Sequence, residues 1–257
     1  MATPEERPRI LMLWSVPRAR STAVFRMMCE RGDVTAVFEP FSCLANFGVS
    51  DIGEVSVHGE REALAALRGL GQRCTVFVKD TTENRYPGVL ADEAFLARDA
   101  RHAFLIRHPR ETIASCHALN PGIGYDQIGF EALHELFTVV RQRSGETPVV
   151  IDAEDLMADP EGIIRAYCAR MDITFRAGAL AWRPETRKEW LPTREWHRDV
   201  SASSGFEVLT KKAYPDITAS PVLHGYMRRS LPYYEELRSL RVQVNRSRTA
   251  RWPDRLS

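Results

Sequence analysis

The sequence predicts an α/β fold: a parallel β-sheet flanked by helices on both faces. Two observations carry this. Short, wholly apolar runs recur along the chain and alternate with amphipathic helical segments, the pattern of strands buried on both faces. Charged and hydroxyl-bearing residues sit directly after those runs, where an open parallel sheet presents its ligand-binding edge.

The first run, Ile10–Ser15 (ILMLWS), is bounded by prolines and too short for a helix. Residues 35–38, 75–78, 103–106 and 149–151 have the same character. Between them lie helical segments. Residues 22–31 place Val24, Met27 and Met28 on one face and stop at Gly32, a favourable residue after a helix end. Residues 60–70 are rich in Ala and Leu, and residues 111–119 follow Pro109 and stop before Asn120-Pro121. Residues 161–171 follow Asp159-Pro160, a cap with proline at the first helical position, and carry one stripe of Ile163, Ile164, Tyr167, Cys168 and Met171. The sheet rule then points to residues 16–22, Glu39-Pro40, Lys79-Asp80 and Arg107-His108 as the ligand-facing turns.

From about residue 183 to 206 the pattern becomes irregular, with Trp182, Trp190 and Trp196 among Arg, Glu and Pro. A linker is rarely so aromatic, so the stretch from about 182 to 212 reads as a cofactor or substrate segment or a lid. The tail after Leu240 carries Arg241, Arg246, Arg248, Arg251 and Arg255 and reads as a solvated terminus rather than a nucleic-acid arm.

Composition sets limits on function. The 257 residues are expected to form one domain spanning 1–257. A net charge of +1 lacks the basic excess of a nucleic-acid binder, so no nucleic-acid partner is expected. No run is long enough for a membrane span or has the flanks of a signal segment, and no membrane partner is expected. Five cysteines, an odd number without a C-x-x-C pair, read as reduced thiols, which places the chain in the cytoplasm. A homodimer is left open. Four of the basic residues are lysines, at 79, 188, 211 and 212, and the rest are arginines.

The turn from the first strand into the first helix reads PRARST. Such a turn offers unpaired backbone N–H groups and the positive end of the helix dipole to an anion. Ser21 and Thr22 add hydroxyls, and Arg18 adds a planar cation suited to phosphate or sulfate. An ordinary strand–turn–helix with a serine cap would use the same residues. The turn is not a Walker A loop, because the glycines and the Gly-Lys-Ser/Thr ending are absent. It does resemble the 5′-phosphosulfate loop of sulfotransferases that use 3′-phosphoadenosine-5′-phosphosulfate (PAPS), in which Pro-Arg-Ser-Gly precedes the hydroxyl residues. Here Ala19-Arg20 replaces Ser-Gly.

Two further stretches extend the resemblance. In LIRHPRETIASCHAL, Arg107 ends a strand and Ser115 follows eight residues later, inside a helix, as in the family's 3′-phosphate motif. A structural salt bridge and a mid-helix serine would be the plain alternative. The segment VVIDAEDLMADPEGIIRAYCARMDITF resembles the family's downstream strand, Glu-Asp-Leu, Asp-Pro and helix. The likeness covers roughly residues 8–175. It implies a P-loop-NTPase-like α/β fold, PAPS as co-substrate, no metal, and transfer of a sulfuryl group to a hydroxyl of a small-molecule acceptor. It also implies cofactor contacts from Arg18, Ala19, Arg20, Ser21, Thr22, Arg107 and Ser115.

Glu39 lies 21 residues after Arg18, at a position that resembles the catalytic glutamate of the tyrosylprotein sulfotransferases. A glutamate beside an acceptor hydroxyl can serve as general base. His197 and His117 are the rivals, since cytosolic small-molecule sulfotransferases more often use histidine. Lys79 is a compact ammonium suited to one developing oxygen charge, with Arg18 alongside, and Asp80 is expected to orient that turn. In WHRDVSASSGF, Ser201, Ser203 and Ser204 are candidate phosphate ligands, Trp196 or Phe206 a stacking surface for adenine, and Lys211 and Lys212 a clamp on the 3′-phosphate. A solvated loop with core aromatics is the competing description. Two other functions are open at this point. A kinase would need a Mg²⁺-binding carboxylate, for which Asp152 is the stand-in, and a non-catalytic nucleotide-binding protein could keep the same fold.

Overall fold

The computed structural model describes residues 9–207, 214 and 216–244. The strands are β1 (Ile10–Ser15), β2 (Thr35–Phe38), β3 (Ser50–Ile52), β4 (Val55–Val57), β5 (Val76–Thr81), β6 (Ala100–Ile106) and β7 (Val149–Asp152). The helices are α1 (Ser21–Glu30), α2 (Pro40–Phe47), α3 (Glu60–Gly71), α4 (Pro87–Ala91), α5 (Pro109–Leu119), α6 (Phe130–Ser144), α7 (Ala153–Ala158), α8 (Pro160–Arg170), α9 (Arg198–Ala202) and α10 (Pro221–Ser239).

The main sheet runs β2-β5-β1-β6-β7, parallel throughout and flanked by helices. Strand β1 lies at its centre, hydrogen-bonded to β5 on one side and β6 on the other. That explains why all six of its residues are apolar or small and buried. Because β5 and β6 leave β1 in opposite directions, the crevice outside the carboxyl end of β1 is where a ligand site is expected. Strands β3 and β4 form a separate antiparallel pair.

Strand β1 and strand β2 have the bounds their apolar runs predict. Strand β5 runs on to Thr81, so Lys79 and Asp80 belong to the strand rather than to the turn after it. Burial explains the shift, since every side chain from Val76 to Thr81 is enclosed, the charged ones included. Helix α1 ends before Gly32, which takes φ 72°. Asp159 caps α8 through a hydrogen bond from Gly162 N (2.9 Å), with Pro160 at the first position.

Six helices, the short α4, α7 and α9 and the longer α2, α6 and α10, lie outside the sequence-based reading. Helix α2 follows Glu39 with none of the usual capping residues. Helix α6 starts after Gly129 at φ 84°. Helix α10, the longest, is capped by Ser220 and begins at Pro221, yet it contains Pro232. An interior proline costs about 3 kcal/mol, and the burial of Tyr234 and Leu237 beyond it offsets that cost. In the tryptophan-rich segment, short 3₁₀ turns over Lys188–Trp196 kink at Thr193 and lead into α9. Trp182 and Trp190 are buried in the core, and Trp196 is half-buried. No described helix is long and apolar enough to cross a membrane. Lys211, Lys212, Arg246, Arg248, Arg251 and Arg255 lie outside the described residues.

Candidate active site

The carboxyl ends of the five parallel strands open into one cavity of about 1250 Å³. Its wall includes Arg18, Arg20, Ser21 and Thr22 from the turn after β1, Glu39 after β2, and Lys79 on β5. Arg107 after β6, Ser115 on α5 and Glu154 after β7 complete the strand-end groups.

The turn after β1 is built from unusual backbone. Arg18 and Arg20 take φ of 64° and 67°, in the left-handed region that side chains other than glycine rarely adopt. Arg20 thus supplies the conformation for which the resembled motif uses glycine, and it adds a guanidinium. Ala19 between them is fully buried. No side chain caps α1, so its first N–H groups have no acceptor within the helix and face the cavity end of the turn. Burial and the neighbouring Arg107 pull the Arg20 guanidinium below its ordinary pKa, and Arg20 makes no ion pair among the described residues. Clustered arginines of this kind are costly until an anion neutralises them.

The two motifs that the sequence separates by 97 residues meet here. Arg18 Nε donates to Ser115 Oγ at 2.9 Å, and Arg107 Nη1 donates to the Arg18 carbonyl at 3.1 Å. Arg107 also faces Glu111 (3.2 Å) and Glu154 (3.6 Å), while its Nε, out of reach of solvent, makes no hydrogen bond. Ser115 additionally meets Tyr214 Oη at 3.1 Å. Arg18 Nη1 donates to the carbonyl of Trp196 (2.6 Å), and the guanidinium lies 5.7 Å from that indole ring. The tryptophan-rich segment is therefore fastened to the turn after β1.

On the β2–β5 side, Glu39 takes φ 46° and ψ 48°. Its N–H donates to the Lys79 carbonyl (2.7 Å) and its carbonyl accepts from Cys43 N (2.8 Å), so the last strand contact and the first turn of α2 hold it from both sides. Asp80, with no exposed surface, accepts from Phe41 N (2.7 Å), Ser42 N (3.2 Å), Ser42 Oγ (2.7 Å) and Thr81 N (2.9 Å). It supplies from β5 the cap that α2 lacks in its own sequence, and it thereby fixes the strained Glu39. The Glu39 carboxylate contacts Lys79 Nζ, which is 1% exposed and lies 4.9 Å from the Phe38 ring centre. Burial pushes the Glu39 carboxyl above its ordinary value, the ammonium of Lys79 opposes that rise, and Glu83 adds to it.

His197 also lines the cavity, buried, with Nδ1 3.4 Å from Thr22 Oγ1 and Nε2 3.1 Å from Thr193 Oγ1. Burial first, then the cations Lys79 and Arg18, push its pKa down to about 3. An imidazole so depressed is a poor proton acceptor near neutrality. His117 does not line the cavity. Ser203 and Phe206 do, although the Ser203 hydroxyl is engaged with the Val200 carbonyl (2.9 Å) and the Trp182 indole (3.2 Å), and Phe206 packs edge-on to Trp182. Ser201 is not brought into the wall; its hydroxyl donates to the His197 carbonyl at 3.0 Å. Ser204 donates to Glu207 (2.6 Å). Asp152 is committed to structure: it caps Glu154 N (2.9 Å), accepts from Tyr234 Oη (2.9 Å) and faces Arg238 (3.5 Å). The sequence reading passed over Thr193, Tyr214, Glu83, Glu111 and Glu154. Of these only Glu111 carried a local signal, as the i+4 partner of Arg107.

Against known proteins, a family model described as a sulfotransferase domain matches residues 9–241. Two curated proteins of Arabidopsis thaliana, branched-chain-amino-acid aminotransferase-like protein 1 and protein 2, are 29% identical over 244 residues and 27% identical over 241. The alignments cover 90% and 89% of this chain but 42% and 41% of theirs, so the chain spans about two fifths of the length of these relatives. Among solved structures, a sulfotransferase from Alicyclobacillus acidocaldarius superposes with a TM-score of 0.53 at 14% identity, over 92% of this chain and 97% of that one. That likeness is one of fold.

Proposed function

The chain belongs to the sulfotransferase family, and from that premise we propose that it moves a sulfuryl group from PAPS to a hydroxyl of a small-molecule acceptor. The observation that carries the proposal is the hydrogen bond from Arg18 Nε to Ser115 Oγ. It ties the candidate 5′-phosphosulfate loop to the candidate 3′-phosphate motif inside one cavity, as binding of a single nucleotide phosphorylated at both ends requires. The residues fit such a donor: three arginines converge there, Arg18 and Arg20 make no ion pair among the described residues, and the buried Arg107 Nε makes no hydrogen bond, its carboxylate neighbour Glu154 standing 3.6 Å away.

In this reading Arg18, Arg20 and the N–H groups opening α1 hold the phosphosulfate, with the Ser21 and Thr22 hydroxyls. Arg107 and Ser115 hold the 3′-phosphate. Glu39 accepts the acceptor's hydroxyl proton as the oxygen bonds to sulfur and the bond from sulfur to the 5′-phosphate oxygen breaks. The products are a sulfate ester and 3′-phosphoadenosine 5′-phosphate. Lys79 stands beside Glu39, where an ammonium can offset negative charge in the transition state. Two features support Glu39 over His197 as base: its carboxyl is raised toward the working pH range while the imidazole is pushed down to about 3. Calorimetric titration with 3′-phosphoadenosine 5′-phosphate and with 5′-AMP tests the donor assignment. The bisphosphate is expected to bind at least about tenfold more tightly, from charge-assisted bonds contributing about 1.5–3 kcal/mol each. Equal affinities would remove it.

A further inference from the structure

At β1 and β6 the cavity is lined by Arg18, Arg20 and Arg107, and the two carboxylates there, Glu111 and Glu154, both face Arg107. At β2 and β5 the charged residues are Glu39, Lys79 and Glu83, and Asn46, Asn120 and Gln127 line the wall as well. Lys79 is taken by Glu39. Glu83 has no such partner. Among the described residues it makes no hydrogen bond and no ion pair, and its Oε2 is out of reach of solvent. Its place is rigid: the preceding Thr82 is buried and donates to the Gly129 carbonyl at 2.9 Å. Gly129 packs so closely that a Cβ there would come within 2.7 Å of the Thr82 carbonyl oxygen.

A buried carboxylate oxygen with no hydrogen-bond partner is costly, and in a folded protein it calls for an explanation. An ammonium in the cavity supplies one, because it provides both the opposite charge and the missing donors. An anionic group beside Glu83 would meet repulsion instead. We propose that Glu83 binds a protonated amine of the acceptor, so that the acceptor is an amino alcohol whose hydroxyl is turned toward Glu39. This rests on the sulfotransfer reading above and assigns the substrate class to the β2–β5 half of the same cavity.

The test uses amino alcohols such as ethanolamine and tyramine, each beside its N-acetyl derivative and a hydroxy acid of similar size. Binding to the protein saturated with 3′-phosphoadenosine 5′-phosphate is measured by calorimetry, and turnover separately with PAPS. The amines are expected to bind at least about tenfold more tightly than their N-acetyl forms, the scale of one charge-assisted contact, and the hydroxy acids least. Glu83→Gln is expected to reduce that ratio at least about tenfold, and Glu83→Asp to restore part of it, with melting temperatures checking the fold. Equal binding of amine and N-acetyl form, tighter binding of the acids, no binding of any compound, or a ratio unchanged in Glu83→Gln overturns the proposal. Amine-selective binding without sulfation of any compound leaves the assignment of Glu83 standing and counts against the sulfotransfer reading instead. Sulfation of N-acetyl forms as efficiently as amines does the reverse.

Discussion

Glu39→Gln separates the two candidate bases most sharply. The substitution keeps the shape of the side chain and an oxygen for Lys79 Nζ, but the amide cannot take a proton at neutral pH. Loss of a general base costs about 10²–10⁴ in rate. The structure adds a second consequence. Lys79 is 1% exposed and contacts Glu39, so the variant leaves a buried ammonium without its counter-charge. Breaking such a pair costs up to about 3–5 kcal/mol, which for a chain of this size is about 2–4 °C of melting temperature per kcal/mol. The rate must therefore be read well below the lowered melting temperature. The assay is a single-turnover measurement at saturating PAPS, with the affinity for 3′-phosphoadenosine 5′-phosphate as control. Expected are a rate at least about 100-fold lower and a bisphosphate affinity changed little, since Glu39 lies on the β2 side, away from Arg107 and Ser115. His197→Asn is expected to cost far less, because an imidazole with a pKa pushed down to about 3 carries little of the proton transfer. An active Glu39→Gln enzyme beside an inactive His197→Asn enzyme would make His197, not Glu39, the base.

Three other expectations follow from the same geometry. Lys79→Met removes the charge that holds the Glu39 carboxyl down, so the acid limb of the single-turnover pH–rate profile moves to higher pH; a limb that stays in place or moves down contradicts the pairing. Asp80→Asn replaces an acceptor of three backbone N–H groups by a side chain that carries its own donors. It is expected to lower kcat at least about tenfold and stability by about 2–3 kcal/mol, with bisphosphate affinity retained, and wild-type kcat would show that Asp80 does not position Glu39. His102 accepts from Trp14 Nε1 at 3.0 Å and lies 3.2 Å from the Phe95 carbonyl, and burial pushes its pKa from 6.5 down to about 4. Below about pH 6.5 the unfolded chain takes up a proton that the folded chain refuses until about pH 4, so stability falls across that window by about 3 kcal/mol. Urea midpoints measured across that window for wild type and His102→Gln check this, and an equally steep decline in the variant would contradict it.

The sheet was legible because its strands obey one rule: buried on both faces, they must be apolar throughout, and ILMLWS or VVI leaves little else to read. The edge where the cavity opens followed from the same rule, and with it the strand ends that carry Arg18, Arg107 and Glu39, whereas Lys79 lies within β5 itself. The cap of α2 was not legible as a cap, because it comes from Asp80, a residue distant in sequence and adjacent only through the pairing of β2 with β5. Glycine at position 20 would have announced a left-handed turn; Arg20 adopts the same conformation at φ 67° without announcing it. Ser201 and Ser203 looked alike as hydroxyls in a polar loop. Only the fold turns one away from the cavity and ties the other to an indole. The isolation of Glu83 is likewise a property of the folded chain, visible only once the positions of all the described cations are known.

Transfer of a sulfuryl group from PAPS leaves two products, and following both at once tests it. The protein is incubated with PAPS labelled in the sulfuryl sulfur and with a panel of small hydroxyl compounds that includes amino alcohols. 3′-Phosphoadenosine 5′-phosphate and labelled sulfate esters are then quantified together by chromatography and mass spectrometry. One ester is expected per bisphosphate released, in the presence of EDTA as in its absence, with loss of both products in Glu39→Gln. Release of the bisphosphate with the label appearing only as inorganic sulfate, or no release above the protein-free control, would contradict the transfer.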